Sequence, residues 1–258
     1  MDLGLKDKLV LITGGSKGIG FAAARAFVAE GARVAINSRS QENLDKACAG
    51  CPGIEGFAAD LTLPRAAAQL VEAVERRLGA IDILVNCAGA AKRVGPDDLT
   101  PEAWRASMDA KYFSYIHVID PLIKKMAARG HGAIVNVIGS GGKVAMATHI
   151  SGGAANAALM LATAGLANAY AGKGVRVIGI NPGPTKTERV AASLTADAKR
   201  ERITEDEALK RIVQKIPMQR MPEPHEIADI IVFAASERAK FLTGAILSAD
   251  AATNPTVV

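Results

Sequence analysis

Short, almost unbroken apolar runs recur along the whole chain, and an amphipathic stretch separates each from the next. That alternation builds βαβ units and a parallel sheet, because a strand covered by helices on both faces has no polar side to show. The runs that read as strands are LVLIT (9–13), RVAIN (33–37), IEGFAA (54–59), IDILVN (81–86), AIVNVI (133–138), VRVIGIN (175–181) and AILSA (245–249). The stretches that read as helices are Gly18–Glu30, Gln41–Ala49, Pro64–Leu78, Pro101–Arg129, Gly152–Ala171 and Pro224–Ser236. Pro101 behind Thr100 fits a first helical residue behind its cap. The expectation is one α/β domain over residues 1–258, with a doubly wound parallel seven-stranded sheet and helices on both faces. A polar, charged insertion at 184–222 interrupts the alternation, where a lid over a bound substrate would sit.

Composition removes several function classes. The net charge is +5 and the cations are dispersed, and only 4% of residues are aromatic. Clustered basic charge and stacking platforms for nucleic acid are therefore both missing. Cys48 and Cys51 are spaced C-x-x-C, but Cys87 is the only other cysteine, so no zinc framework is completed. Reduced thiols and no metal are expected. The most apolar window, Gly153–Gly172, is Ala-rich and interrupted by Asn156 and Asn168, which reads as a buried helix rather than a membrane span. The charged segment before Leu9 does not read as a signal peptide, so a cytoplasmic location is expected.

The first strand runs into TGGSKGIG, with glycines at 14, 18 and 20, and a helix follows at once. Glycines let the backbone turn sharply and approach a pyrophosphate, and the helix N-terminus offers unpaired N–H groups. By itself such a run could be only a tight turn. Further motifs accompany it: Asp60-Leu61 after the third strand, NCAG at Asn86–Gly89, Pro182-Gly183 after the sixth strand with Thr187 beyond, and the C-terminal PEPHEIADIIVFAAS…LTGAILSAD. On these motifs the chain resembles the short-chain dehydrogenase/reductase family from end to end. The resemblance implies a single-domain Rossmann fold, a nicotinamide dinucleotide and a homotetramer or homodimer.

The resemblance also implies roles. Gly14, Ser16, Lys17, Gly18, Ile19 and Gly20 would surround the diphosphate and adenosine ribose. Asp60, beside Leu61, would accept from the adenine amino group. Asn86, Ala88 and Gly89 would line the cofactor's middle, and Pro182, Gly183, Thr185 and Thr187 would hold the nicotinamide amide. An NAD site needs a carboxylate after the second strand, whereas an NADP site needs a cation there. The chain has Asn37-Ser38-Arg39-Ser40, with Lys17 in the glycine loop. An Arg fork suits a phosphate in charge and geometry, so NADP(H) is favoured over NAD(H). A solvated surface arginine is the alternative for Arg39.

The family's proton-transfer residues do not fall where the resemblance expects them. Counting from the strand IVNV, the serine position falls on Gly139, with Ser140 next to it, the tyrosine position on Gly152 and the lysine position on Asn156. The asparagine position falls on Lys111. The tyrosines are 112, 115 and 170, and their i+4 residues are Ile116, Ile119 and Gly174, so no shift of register restores the pair. Losing a positioned general acid forfeits about 10²–10⁴ in rate. Asparagine and lysine look exchanged between 111 and 156, so a cation and an amide could still flank the nicotinamide ribose.

Lys111, Ser140, His149 and Asn156 are the candidate catalytic residues. His149 titrates near neutrality but reads first as a surface-loop histidine. Around the expected mouth lie Lys92, Arg93, Lys111, Lys143, His149, Lys186 and Arg189, which would favour a small anionic substrate if they converge, and are otherwise solvated loop cations. Three functions stay open: an NADP(H)-dependent oxidoreductase with a rewired site, a non-redox lyase, hydrolase or isomerase, and a cofactor-binding pseudoenzyme. The intact cofactor motifs favour the first.

Overall fold

Every apolar run becomes a strand of one parallel sheet. In the computed structural model, which describes residues 1–89 and 93–255, the strands are β1 (Leu9–Thr13), β2 (Arg33–Ser38), β3 (Ile54–Ala58), β4 (Ile83–Asn86), β5 (Gly132–Val137), β6 (Val175–Pro182) and β7 (Ile246–Ala249). They lie in the order β3-β2-β1-β4-β5-β6-β7. The chain reverses its direction of travel across the sheet between β1 and β4, which opens a crevice at their carboxyl ends.

Alternation within a strand feeds two cores. Val10 and Ile12 of β1 join Ala23 and Phe27 of α1 (Gly18–Ala29) and Ile227 and Ile231 of α9 (Pro224–Ala235) on one face. Leu9 and Leu11 join Leu70 and Val74 of α3 (Pro64–Leu78) on the other, with Ile119 and Leu122 from the helix before β5. Successive Cβ atoms point to opposite faces, so a continuous apolar strand is what a two-sided burial requires. The short helix α2 (Gln41–Gly50) begins behind Ser40, whose Oγ accepts from the Asn43 N–H at 3.2 Å.

The stretch expected as one helix over 101–129 is three segments. Helix α4 (Pro101–Ser107) starts behind Thr100, whose Oγ1 accepts from the Ala103 N–H at 3.3 Å. A π-helical turn (Met108–Phe113) follows, and then α5 (Ser114–Arg129). The wide turn rotates the intervening residues relative to a regular helix and points Lys111 into the protein, where it is buried. The insertion at 184–222 carries two helices, α7 (Glu188–Glu201) and α8 (Glu205–Val213), the second begun by a Thr204–Glu207 capping box.

Helix α6 (Ile150–Tyr170) corrects the expectation of a buried helix on one side only. Ala155, Asn156, Leu159, Thr163 and Ala167 are buried, whereas Leu161 is 77% exposed. Among the described residues it is also the one helix long and apolar enough to cross a membrane. Its apolar residues surround the axis, so one side fills the core and the other is left open.

A buried polar chain crosses the sheet beneath the crevice. Thr13 Oγ1 donates to Asn86 Oδ1 (3.1 Å), Asn86 Nδ2 to Asn136 Oδ1 (3.0 Å), and Asn136 Nδ2 to Thr163 Oγ1 (3.0 Å). All four residues are at most 1% exposed. Asn136→Ala leaves Asn86 Nδ2 and Thr163 Oγ1 without partners in the core. We expect a loss of about 1–3 kcal/mol for each orphaned group, read as a lower urea midpoint. An unchanged midpoint would mean that the chain of bonds does not hold these strands to α6.

Candidate active site

The crevice between the ends of β1 and β4 is a cleft of about 650 Å³. Gly14 opens it with φ +64°, and a Cβ there would lie 2.8 Å from Ala88 Cα, so the glycine loop and the NCAG turn touch backbone to backbone. A Cβ on Gly20 would lie 2.4 Å from Gly14 O, which fixes how closely α1 approaches the loop. Lys17, the residue before α1, offers no side-chain cap, so the first-turn N–H groups stay open to an anion. These are the features a dinucleotide diphosphate needs, and the residues present fit it.

Most residues expected at the cofactor line the cleft: Gly14, Ser16, Lys17, Gly18, Ile19, Gly20, Ser38, Arg39, Asp60, Leu61, Ala88, Gly89, Pro182 and Thr187. Four lie elsewhere, among them Asn156, which is buried beside Gly139. Asn86 sits below the floor with both ends of its amide used in the polar chain, and Cys87 lines the wall instead. Thr185 is buried and its Oγ1 turns back to Gly183 O at 3.0 Å, and Gly183 packs against Asp250. Asp60 Oδ1 accepts from the Thr62 N–H (3.0 Å) and Oγ1 (2.8 Å). The backbone bond chiefly, then the hydroxyl and the Arg39 charge, hold its carboxyl below the ordinary range. Arg39 itself is exposed at the cleft rim.

Among the described residues, part of the expected ring of cations is engaged elsewhere. Lys186 Nζ is bonded to Glu223 Oε1 (2.6 Å) and Lys17 Nζ to Glu188 Oε2 (3.0 Å). Exposed Arg189 lines the cleft, Arg93 is exposed, and Lys143 follows the turn at Ser140–Gly142. Lys92 lies outside the described residues.

Lys111 is no mouth residue: it is only 7% exposed, where the π-turn has carried it inward. Its Nζ donates to Tyr115 Oη (2.7 Å) and Val137 O (2.9 Å) and lies 4.4 Å from the Tyr115 ring centre. Tyr115 Oη in turn donates to Val137 O at 2.5 Å. Burial, and to a lesser degree the Arg189 charge, press the Lys111 pKa down to about 7, against a weaker opposing pull from Cys87. Burial also pushes the Cys87 thiol up to about 12, so it is no nucleophile. The sequence carries one signal for Tyr115: its lysine stands four residues before it rather than four after.

Beyond the end of β5, where the chain leaves the cleft, glycines decide the shape. Gly139 has φ +130°, a conformation that a serine would adopt only under strain, and its Cβ would lie 3.3 Å from Asn156 Nδ2. Asn156 is buried. Ser140 begins the short turn that follows, and its carbonyl accepts from the Lys143 and Val144 N–H groups. At Gly152 a Cβ would lie 2.1 Å from His149 Cε1. The imidazole therefore lies across the position where the resemblance expects a tyrosine, half-buried rather than on the surface. Burial first, then the charges of Arg93 and Lys111, hold its pKa below the usual histidine value.

The comparisons agree with this geometry. The short chain dehydrogenase family model matches residues 8–198. An uncharacterised oxidoreductase of Bacillus subtilis is 36% identical over 251 residues, covering 95% of each chain. An acetoacetyl-CoA reductase of Rhizobium meliloti is 34% identical, covering 95% of this chain and 97% of its own. The crystal structure of L-sorbose reductase from Gluconobacter frateurii, complexed with NADPH and L-sorbose, superposes with a TM-score of 0.93 at 28% identity over 100% of both chains. The chain belongs to the short-chain dehydrogenase/reductase family, whose related members are oxidoreductases acting on small molecules.

Two outcomes follow for Gly152 and for Lys111. Gly152→Ala would force the imidazole out, and overpacking of this kind costs about 1–3 kcal/mol; a melting temperature equal to that of the parent would contradict the packing. A lysine whose folded pKa of about 7 is below its unfolded value binds fewer protons folded than unfolded between those two values. Its penalty is full below about pH 7 and fades as pH rises towards the unfolded lysine value. Lys111→Met should therefore be more stable than the parent at neutral pH, with the gain shrinking as pH rises. A gain that does not depend on pH would show that Lys111 titrates normally.

Proposed function

We propose that this chain is an NADP(H)-dependent oxidoreductase with an altered proton-transfer site, acting on a small anionic carbonyl or hydroxy compound. The observation that carries the reading is the cleft itself: a glycine loop that holds Lys17 and an open helix N-terminus, with Arg39 just past the end of β2 and no Asp or Glu at 37–40. A 2′-phosphate would be met by two cations, and would draw Lys17 away from Glu188. The bound cofactor supplies the hydride.

The chain's own residues then divide the work. Lys111, on the π-turn, lines the cleft, Asn156, on α6, lies beside Gly139, and the two would flank the nicotinamide ribose from opposite helices. Lys111 is the cleft group that changes charge near neutral pH, so it can give up or take a proton during turnover. Arg189, Arg93 and Lys143 would draw in an anionic substrate. Residues 184–222 serve as the lid, with α7 latched to the glycine loop through Lys17 and Glu188. The open side of α6, with exposed Leu161, is where a second copy would pack in a homodimer or homotetramer.

Acetoacetyl-CoA is the first substrate to try, since a relative reduces it and its phosphates suit the cations; L-sorbose and L-xylulose serve as neutral comparisons. We expect NADPH consumption, followed by absorbance, with acetoacetyl-CoA above the two sugars. No consumption with any of them would count against the redox reading. Fluorescence titration should show NADPH binding at least about tenfold tighter than NADH, since one charge-assisted contact contributes over 1.4 kcal/mol. Arg39→Asp should reverse that order, and equal affinities in the parent would contradict the NADP assignment.

A further inference from the structure

The ring that covers Gly152 is held in one orientation. Besides the approach to Gly152, a Cβ on Gly141 would lie 3.1 Å from His149 Cδ2, so the imidazole is wedged between two glycines that leave it room. Its Nδ1 is sealed from solvent and has no hydrogen-bonding partner among the described residues. Nε2 is not in that condition.

A sealed nitrogen is either bare or protonated, and the two states do not cost the same. Buried N–H groups without an acceptor are rarer than under-used lone pairs. An imidazolium, or the tautomer with its proton on Nδ1, would place such an N–H in the seal. Only a proton on Nε2 leaves nothing but a lone pair unmatched. The surroundings act in the same direction, because the charged groups facing the ring are cations: Arg93 from the loop before α4, and Lys111 from the π-turn.

We propose that His149 is a fixed hydrogen-bond donor, whose Nε2–H beside Gly152 receives the carbonyl or hydroxyl oxygen of the bound substrate. The inference rests on the oxidoreductase reading and assigns the residue that contacts the reacting oxygen. A neutral imidazole can polarise a carbonyl without itself changing protonation state. In the reduction, hydride from NADPH bonds to the carbonyl carbon and the C=O π pair moves to oxygen. A proton drawn from solvent, directly or by way of Lys111, completes the alcohol, and His149 keeps its own. Glycine at 141 and 152 is then a requirement of the ring's placement.

Long-range ¹H–¹⁵N spectra of the full chain test the tautomer without any substrate, with His149→Gln assigning the signals among the four histidines. Across about pH 5–8, where an ordinary histidine changes charge, Nδ1 should keep the shift of a bare nitrogen and Nε2 that of a protonated one. A proton on Nδ1, or an imidazolium forming at the ordinary value, overturns the proposal. The second measurement is kcat with NADPH and acetoacetyl-CoA. His149→Ala should lose about 10²–10³, the usual effect of removing one such donor. His149→Gln, which keeps an N–H but cannot titrate, should retain at least about tenfold more than the alanine variant. Glutamine as poor as alanine would make His149 a proton donor and overturn the fixed-donor assignment. If the parent consumes no NADPH with any probe, the oxidoreductase reading falls, and the spectra alone decide how His149 is held.

Discussion

Four buried side chains, Thr13, Asn86, Asn136 and Thr163, hand hydrogen bonds from β1 across β4 and β5 to α6. Buried polar groups of this kind stabilise only when every one is paired, and here each link supplies what the next lacks. The chain lies directly under the carboxyl ends of the strands. It fixes the height of the Thr13 turn, which carries the glycine loop, and of Asn86, which carries the NCAG turn. It also ties α6 to the sheet seven residues beyond Asn156, and so sets where Gly152 and His149 stand relative to the cleft.

On that platform the cofactor side and the reacting side are built differently. The cofactor side follows largely from backbone: glycines where a Cβ would collide and an open helix N-terminus, with Arg39 just past the end of β2. The proposed reacting side rests on two side chains that are each made possible by a backbone irregularity. A π-turn turns Lys111 inward onto Tyr115 and Val137. Glycines at 141 and 152 admit the His149 ring, and Gly139 holds a φ of +130° that a serine would resist. These changes depend on one another. A tyrosine at 152 would meet the imidazole, and the burial that depresses Lys111 needs the wide turn that carries it inward.

The sheet was legible because a two-sided parallel strand leaves an uninterrupted apolar run, and all seven runs match strands to within two residues. The diphosphate loop was legible because its glycines answer to sterics that sequence displays directly. The π-turn was not, since the residues from Met108 to Phe113 carry no compositional mark, and one helix over 101–129 was the natural reading. A regular helix over this stretch puts Lys111 at the mouth and leaves Tyr115 unmarked. The setting of His149 is hidden for a similar reason: nothing next to it in sequence marks it as enclosed, and only the folded chain brings Gly141 and Gly152 to either side of its ring. The opposite charges that engage Lys17 and Lys186 come from 171 and 37 residues away, beyond any local pattern.

The account requires that a hydride leave a nicotinamide in this cleft and reach a substrate carbon, although no tyrosine stands beside Gly152. The most direct measurement follows the label from NADPH deuterated at the nicotinamide C4 into product, read by mass spectrometry after incubation with acetoacetyl-CoA. The account predicts one deuterium on the carbon that bore the carbonyl, delivered from a single face of the nicotinamide. Product without label, or labelled cofactor recovered unchanged beside unreacted substrate, would contradict it.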